Sequence, residues 1–357
     1  MTLLSMLSWP ISFLYGVVML IRNWLYDIKM IPSASFQVAV ISVGNLSMGG
    51  AGKTPHTEYL VSLLKDKRNI AVLSRGYKRK TKGYRLVEVD STPMDTGDEP
   101  LQVKRKFPTV LVAVHEKRKK GIQRILKDNP KIDTIILDDA FQHRSVRPGL
   151  NLLLTEYYKP FFKNFPIPTG SLREFRTGAR RSDALIVTKT PTIFSPLDKR
   201  FFLKKIKPYH PTENVFFSCL EYQGFQSLWD DKRLPSNTSF KSIIMLTGIA
   251  NPSALEEYLK LHCDELFSYN FQDHHTFRPK ELKKIRDHYV SMISRSKAII
   301  TTEKDAIRLQ NKEARDILSG LPVYYIPIKV LFHAHDKKKF ENLVWTYINK
   351  HKPAAYA

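Results

Sequence analysis

The sequence predicts an α/β chain: a parallel-sheet domain covered by helices on both faces, a second and smaller α/β domain, and an apolar helix ahead of both. Three observations predict it. Short, near-continuous runs of Val, Ile and Leu alternate with helix-like stretches over residues 38–187, the pattern of strands buried on both faces. The alternation restarts at Lys241, after a break near residue 230. Residues 3–21 form an apolar run interrupted only by Ser5, Ser8, Pro10, Ser12, Tyr15 and Gly16.

The N-terminal run is at the lower edge of the length that spans a bilayer, and Pro10 weakens its middle. No basic segment precedes it and no small-residue cleavage site follows, which argues against a removed signal peptide. Trp9, Trp24 and Tyr26 have the character of interfacial anchors, with Arg22 and Lys29 on the cytoplasmic side. Residues 1–31 therefore read as a membrane-associated helix that either spans the bilayer or lies in its interface.

Residues 38–43 are a β-branched run that feeds a glycine-rich loop, and residues 57–64 read as the helix after it. Further strands are expected at 70–74, 110–114, 134–137, 152–154 and 184–187, with a helix over 117–126. Residues 216–229 read as extended and hairpin-like, with Gly224 in the turn. The second series has strands over 241–248, 298–302 and 322–326, and helices over 252–261 and 337–350. The expected domains are 1–31, 32–230 and 231–357.

Composition narrows the function. Hydrophobic residues at 43% and charged residues at 25% exclude wholesale disorder. The excess of 57 Lys+Arg over 34 Asp+Glu, a net charge of +23, points to an anionic partner. Residues 75–82, 104–106 and 117–120 are basic, but aromatic interleaving is thin and no nucleic-acid fold signature occurs. Anionic lipid or a phosphorylated acceptor therefore fits better than nucleic acid. The two cysteines, Cys219 and Cys263, lack metal-site spacing, and Asp273-His274-His275 has no further zinc-type ligands in register.

The strongest motif is Ser47-Met48-Gly49-Gly50-Ala51-Gly52-Lys53-Thr54, set between a buried strand and a helix. A phosphate tail needs several backbone N–H groups pointing into one concavity above a helix N-terminus. Gly49, Gly50, Ala51 and Gly52 supply that backbone. Lys53 reaches the terminal phosphates, and the Thr54 hydroxyl is a Mg²⁺ ligand. Ser47 replaces the usual first glycine, and Pro55 suits a first helical turn. This makes the larger domain P-loop NTPase-type, with ATP and Mg²⁺ as expected cofactors. Asp138-Asp139 ends an apolar strand where a metal-orienting carboxylate belongs. Gly97-Asp98-Glu99-Pro100 is a further acidic group at a helix start.

Taken in order, these motifs resemble the tetraacyldisaccharide 4′-kinases, which phosphorylate the lipid A precursor. The resemblance runs through Val43-Gly44-Asn45, the loop ending Lys53-Thr54-Pro55, Ser74-Arg75-Gly76-Tyr77, and Gly97-Asp98-Glu99-Pro100. It continues with 138–143, 168–174, 181–183 before 187–189, the Asp273-His274-His275 group with Phe277, and Thr302-Glu303-Lys304-Asp305. It implies that Lys53 and Thr54 bind ATP and Mg²⁺, and that Asp98 is the base for the sugar 4′-hydroxyl with His274 as its partner. Glu99 and Asp139 are implied as metal- or water-positioning carboxylates supported by Asp138, and Arg173 lies near the transferring phosphate. Arg118 and Tyr77 are further implied candidates. Implied too are an acylated disaccharide substrate and a place on the cytoplasmic face of the bacterial inner membrane, against anionic lipid. Ala140 and Phe175 stand where the family pattern has Gly and Pro. The rival reading is a P-loop GTPase or ATPase acting as a membrane assembly factor. Val187-Thr188-Lys189-Thr190-Pro191 lacks the Asp of a guanine-reading motif, which weakens it.

Overall fold

The computed structural model describes residues 3–230 and 232–351; residues 1, 2, 231 and 352–357, which belong to the first and last expected segments, lie outside the described part. The chain divides into two compact units, residues 1–220 with 330–357, and residues 221–329.

The first unit opens with α1 (Leu3–Asp27) and continues with β1 (Ala39–Asn45), α2 (Lys53–Leu64), β2 (Ile70–Ser74) and β3 (Arg85–Leu86). Next come α3 (Pro93–Thr96), α4 (Asp98–Lys106), β4 (Leu111–Val114), α5 (Arg118–Asp128) and β5 (Thr134–Asp138). Then follow β6 (Leu150–Glu156), β7 (Ala184–Thr188), α6 (Pro196–Ile206) and β8 (Val215–Tyr222). β1, β2, β5 and β7 are buried along their whole length, as strands covered on both faces must be. Burying each Ile or Leu of such a strand contributes about 1.5–3 kcal/mol.

The second unit holds β9 (Phe225–Ser227), β10 (Arg233–Leu234), β11 (Phe240–Thr247), α7 (Ser253–Lys260) and β12 (Cys263–Asn270). It continues with α8 (Pro279–Ser291), β13 (Lys297–Thr302), α9 (Glu303–Leu309), α10 (Lys312–Leu318) and β14 (Val323–Ile326). The chain then returns to the first unit with β15 (Ile328–Phe332) and α11 (Ala334–Ile348).

The first sheet has the order β15-β8-β7-β6-β1-β5-β2-β4-β3. From β8 to β4 every pair is parallel, and β3 runs antiparallel at the edge. β1 lies between β5 and β6, with Val43 level with Asp138 and Asn45 level with Leu154. Everything that follows β1 and β5 therefore emerges side by side at one edge, where open α/β sheets bind ligands. The second sheet, β10-β9-β14-β13-β11-β12, is parallel from β14 to β12.

Three expectations change. The stretch 216–229 is no hairpin: β8 pairs with β7 in the first sheet, whereas β9 pairs with β10 and β14 in the second. The division falls at residue 220 rather than 230, and the last helix belongs to the first unit rather than the second. The Tyr347 hydroxyl of α11 donates to the Val40 carbonyl at 3.1 Å and accepts from its amide at 2.9 Å, while the Phe217 amide donates to Asp336 at 3.0 Å. An amphipathic helical pattern states that one face is buried, not which sheet buries it. Third, no helix among the described residues is long and apolar enough to cross a membrane, which removes the spanning disposition considered for residues 3–21.

The face of α1 that meets the protein is its polar one. The Ser12 hydroxyl donates to Thr169 at 2.7 Å, Tyr15 to the Arg173 carbonyl at 2.9 Å, and Asn23 to Glu174 at 2.7 Å. Gly16 admits the Phe175 ring, which would lie 2.4 Å from a Cβ at that position. This explains the aromatic residue at 175: it packs edge-on against Phe13 of α1 at 6.3 Å. The outward face carries Trp9, Ile11, Phe13, Leu14, Val18 and Trp24, all exposed, with Leu14 at 65%. A helix that turns serine inward and leucine outward inverts the pattern of a water-facing surface helix.

Candidate active site

The loop after β1 rises to the N-terminus of α2. Gly49 and Gly52 take φ of 106° and 80°, left-handed values that a Cβ would strain. Two of the loop carbonyls are engaged by side chains outside the loop. Thr188 Oγ1 donates to the Ala51 carbonyl at 2.9 Å, and His56 Nδ1 lies 2.7 Å from the Gly52 carbonyl. Lys53 opens α2, its Nζ 3.2 Å from Asn45 Oδ1 and 3.7 Å from Asp139 Oδ1, and Thr54 beside it is nearly buried. The predicted cradle of Gly49, Gly50, Ala51, Gly52, Lys53 and Thr54 thus comes together as one loop on one helix.

The carboxylates follow from β5. Asp138 is its last residue and almost fully buried, and it accepts from Thr57 of α2 at 3.3 Å. Burial, then the charges of Glu99 and Asp139, push its pKa up to about 7 against the pull of Lys53 and Arg118. Asp139 turns out of the strand with φ of 47°. Burial works to raise its pKa, but Lys53 and Arg173 outweigh that and hold it below the usual carboxylate value. The two neighbours are thereby driven apart, Asp139 firmly ionised and Asp138 poised near neutrality. Asp98 and Glu99 form the first turn of α4, and Glu99 is close enough to act on Asp138.

Arg173 arrives from a different segment. Residues 46–48 and 171–173 pair across a short bridge, with the Arg173 amide donating to the Leu46 carbonyl at 2.7 Å. This sets its guanidinium 2.9 Å from Asp139 Oδ1 and 3.2 Å from Gln142 Oε1. Lys53, Asp139 and Arg173 therefore meet at the ends of β1 and β5. Arg118 has a different place: fully buried, it donates to the His115 and Asp138 carbonyls at 2.7 and 3.1 Å and so holds the end of β5. Other members of the basic groups are also engaged within the fold: Arg79 pairs with Glu116, and Lys106 with Glu58 at 2.7 Å. The three basic groups are thus less available to an anionic partner than their charge suggested. Tyr77 is exposed.

His274 belongs to the second unit, where it takes φ of 61° at the end of the β12 connection. Its Nε2 lies 3.0 Å from Lys304 Nζ and its Nδ1 3.2 Å from Arg308 Nη2. A neutral imidazole has one acceptor nitrogen, so the ring takes one of these cations at a time. Arg308 is fixed by the buried Asp305 at 2.7 Å, which also accepts from the Gly248 amide at 3.0 Å. Asp98 belongs to the first unit and His274 to the second.

Several contributors escaped the sequence reading of roles. Asn45 holds Lys53, and the Gln142 amide donates to the Asn45 carbonyl at 2.9 Å and to Glu174 at 3.1 Å. Glu174 also binds Asn23, so hydrogen bonds link α1 to the phosphate loop. His56 bridges the loop to β8, with Nε2 3.0 Å from the Ser218 hydroxyl. Asn45, Gln142, Glu174 and Thr188 lay inside recognised motifs; His56 and Ser218 gave no spacing signal, because only the packing of α2 on the sheet brings them together.

The comparisons place the chain in one family. A family model described as tetraacyldisaccharide-1-P 4′-kinase (LpxK) matches residues 4–349. The tetraacyldisaccharide 4′-kinase of Bacteroides thetaiotaomicron is 39% identical over 353 residues, covering 96% of this chain and 93% of that protein. That of Flavobacterium psychrophilum is 41% identical over 356 residues, covering 98% of each. A solved structure described as the "apo" form of LpxK from Aquifex aeolicus in complex with ATP matches with a TM-score of 0.72 at 29% identity, covering 97% of this chain and 100% of that chain. The chain belongs to the tetraacyldisaccharide-1-P 4′-kinase family.

Proposed function

We propose that this kinase binds ATP on the 49–54 loop and transfers its terminal phosphoryl group to the 4′-hydroxyl of a tetraacyl disaccharide 1-phosphate, at the cytoplasmic face of the bacterial inner membrane. The observation that carries this reading is the meeting of Lys53, Asp139 and Arg173 beside a glycine cradle. Loop amides and Lys53 hold the nucleotide phosphates, and Arg173 neutralises charge that grows on the phosphoryl oxygens. A sugar hydroxyl is a poor acid, so Asp98 takes its proton as the bond to phosphorus forms, with His274 tuning that carboxylate.

Among the described residues, no three His, Cys, Asp or Glu side chains converge to hold a metal unaided. Magnesium bound with a nucleotide needs little more than a hydroxyl or carboxylate and phosphate oxygens. Burial is the first cause of the raised proton affinity of Asp138; the second, the negative charge of Glu99 and Asp139 beside it, is what a divalent cation relieves. Thr54, Glu99, Asp138 and Asp139 therefore fit Mg²⁺ as ligands or as carboxylates orienting its waters. When bound, the ion supplies charge neutralisation across the two terminal phosphates.

The exposed apolar face of α1 supports a place in the membrane interface, where the acyl chains of the acceptor reside. The test uses acceptor in vesicles, ATP and detection of a new 4′-phosphomonoester. Ile11→Asp with Leu14→Asp should slow turnover on vesicles about tenfold or more while leaving the KM for ATP in place, since neither residue touches the loop. No phosphomonoester from the unmodified chain would overturn the kinase assignment; equal rates for both proteins would overturn the interfacial role of α1.

A further inference from the structure

The apolar surface continues beyond α1. Trp9, Phe13 and Leu20 share a cavity of about 440 Å³ with Phe165, Phe175 and Tyr209. From Tyr209 aromatic contacts run through the buried rings of Phe161, at 5.5 Å, and Phe162, 5.8 Å further on, and reach Phe201 at 6.4 Å, so that the core itself supports a second exposed ring. Phe165 and Phe201, at the two ends of this track, are exposed. Both rings carry cations: Arg176 lies 4.8 Å from the centre of Phe165, while Lys163 and Lys205 lie 5.4 and 5.9 Å from that of Phe201. Both lysines are exposed as well.

Position adds to this. Phe165 lies on the connection that leaves the C-terminal end of β6, and Phe201 on α6, which follows the C-terminal end of β7. The phosphate loop and Asp139 leave β1 and β5 at the same edge of the same parallel sheet. An enzyme whose acceptor stays in a bilayer must present that edge to it. Exposed aromatic rings paired with basic side chains suit the headgroup level, where apolar rings and lipid phosphates lie within a few ångströms of each other. A single apolar anchor gives marginal and reversible membrane binding, and a second, basic signal is needed for stable attachment.

We propose that the membrane-binding surface of this protein is composite: the outward face of α1 together with a second patch of Phe165, Phe201, Lys163, Lys205 and Arg176 that docks on an anionic phospholipid bilayer. The proposal rests on the interfacial reading of α1 and adds a second contact, with its own lipid selectivity. In it the rings of Phe165 and Phe201 enter the headgroup region, and the lysines pair with lipid phosphates in a salt-dependent way.

The test is cosedimentation of the full chain with vesicles of pure phosphatidylcholine, or of three parts phosphatidylcholine to one part phosphatidylglycerol, at low and high salt. Lys163→Glu with Lys205→Glu should weaken binding to the anionic vesicles at least about 30-fold at low salt, leave phosphatidylcholine binding unchanged, and flatten the salt dependence. Phe165→Ser with Phe201→Ser should weaken binding to both vesicle types on the order of tenfold. Both variants should keep normal turnover on detergent-dispersed acceptor, which verifies their fold, because none of the four side chains touches the loop or the carboxylates. Unchanged vesicle binding by both pairs, with loss for Ile11→Asp/Leu14→Asp, overturns the composite surface and leaves α1 as the anchor. Failure of the unmodified chain to bind any vesicle overturns the interfacial reading of α1, and the composite surface with it.

Discussion

His56→Phe isolates a contact between the phosphate loop and the sheet. The imidazole is 3% exposed, with Nδ1 2.7 Å from the Gly52 carbonyl and Nε2 3.0 Å from the Ser218 hydroxyl. A carbonyl only accepts, so Nδ1 carries the proton and Nε2 accepts from Ser218. Phenylalanine keeps the ring volume and removes both bonds. The Gly52 carbonyl keeps the His56 backbone amide at 3.2 Å as a donor, but Ser218 is left as an unpartnered buried hydroxyl. That loss costs about 1–3 kcal/mol. The cost must depend on pH in a particular direction. Burial holds the His56 pKa down to about 4, although the Gly52 carbonyl opposes it. The unfolded imidazole titrates near 6.5, so its contribution is fully present above that pH and is lost as the pH falls toward 4. Between pH 7.5 and pH 5 this removes about 2 kcal/mol from the unmodified protein and nothing from His56→Phe. Urea unfolding of both proteins at the two pH values, followed by tryptophan fluorescence, reads the difference directly, since every other group is common to both. At pH 7.5 the variant should be the weaker protein, and at pH 5 the gap should close or reverse. A gap that stays constant refutes the neutral, buried histidine. Loss of the bond to Gly52 should also raise the KM for ATP more than it lowers kcat.

Lys53→Ala should reduce single-turnover phosphoryl transfer at least on the order of 10²-fold and leave the thermal unfolding profile in place; normal activity in the folded variant contradicts the nucleotide role of the loop. Asp98→Ala and His274→Ala should each slow the chemical step by roughly 10²–10⁴, and the double variant little more than the worse single one. Mild losses that multiply would remove the pair and leave Asp138 or Asp139 as the base. Because burial and the charges of Glu99 and Asp139 push the Asp138 pKa up to about 7 in the metal-free protein, Mg²⁺ binding should tighten as the pH rises through that range if its carboxylate is required. Asp138→Asn should be slow and lack that dependence; an unchanged dependence in the variant assigns the titration to another group.

Local patterns carried a large part of this protein. Strands β2 and β5 declare themselves because burial on both faces demands continuous apolar residues, and their observed bounds lie within one residue of the sequence reading. The phosphate loop is legible because its chemistry requires glycines and Lys53-Thr54 in one consecutive run. The acidic pairs are legible for a similar reason, each standing at a strand end or a helix start. Strand β12 went unread because Cys263–Asn270 is a half-exposed edge strand, with charged residues that blunt it and break any apolar run. The placement of Arg173 could not be read from spacing either, since a bridge between residues 47 and 172 sets it against Asp139. Nor could the burial of Arg118, which looks in sequence like one more surface cation. Residues near in sequence share a face by helical or strand period, so a single sequence reports them. The partner that covers α11, the hydroxyl that meets His56 and the polar side of α1 that turns inward depend on contacts between distant segments, and those were decided only when the sheets assembled.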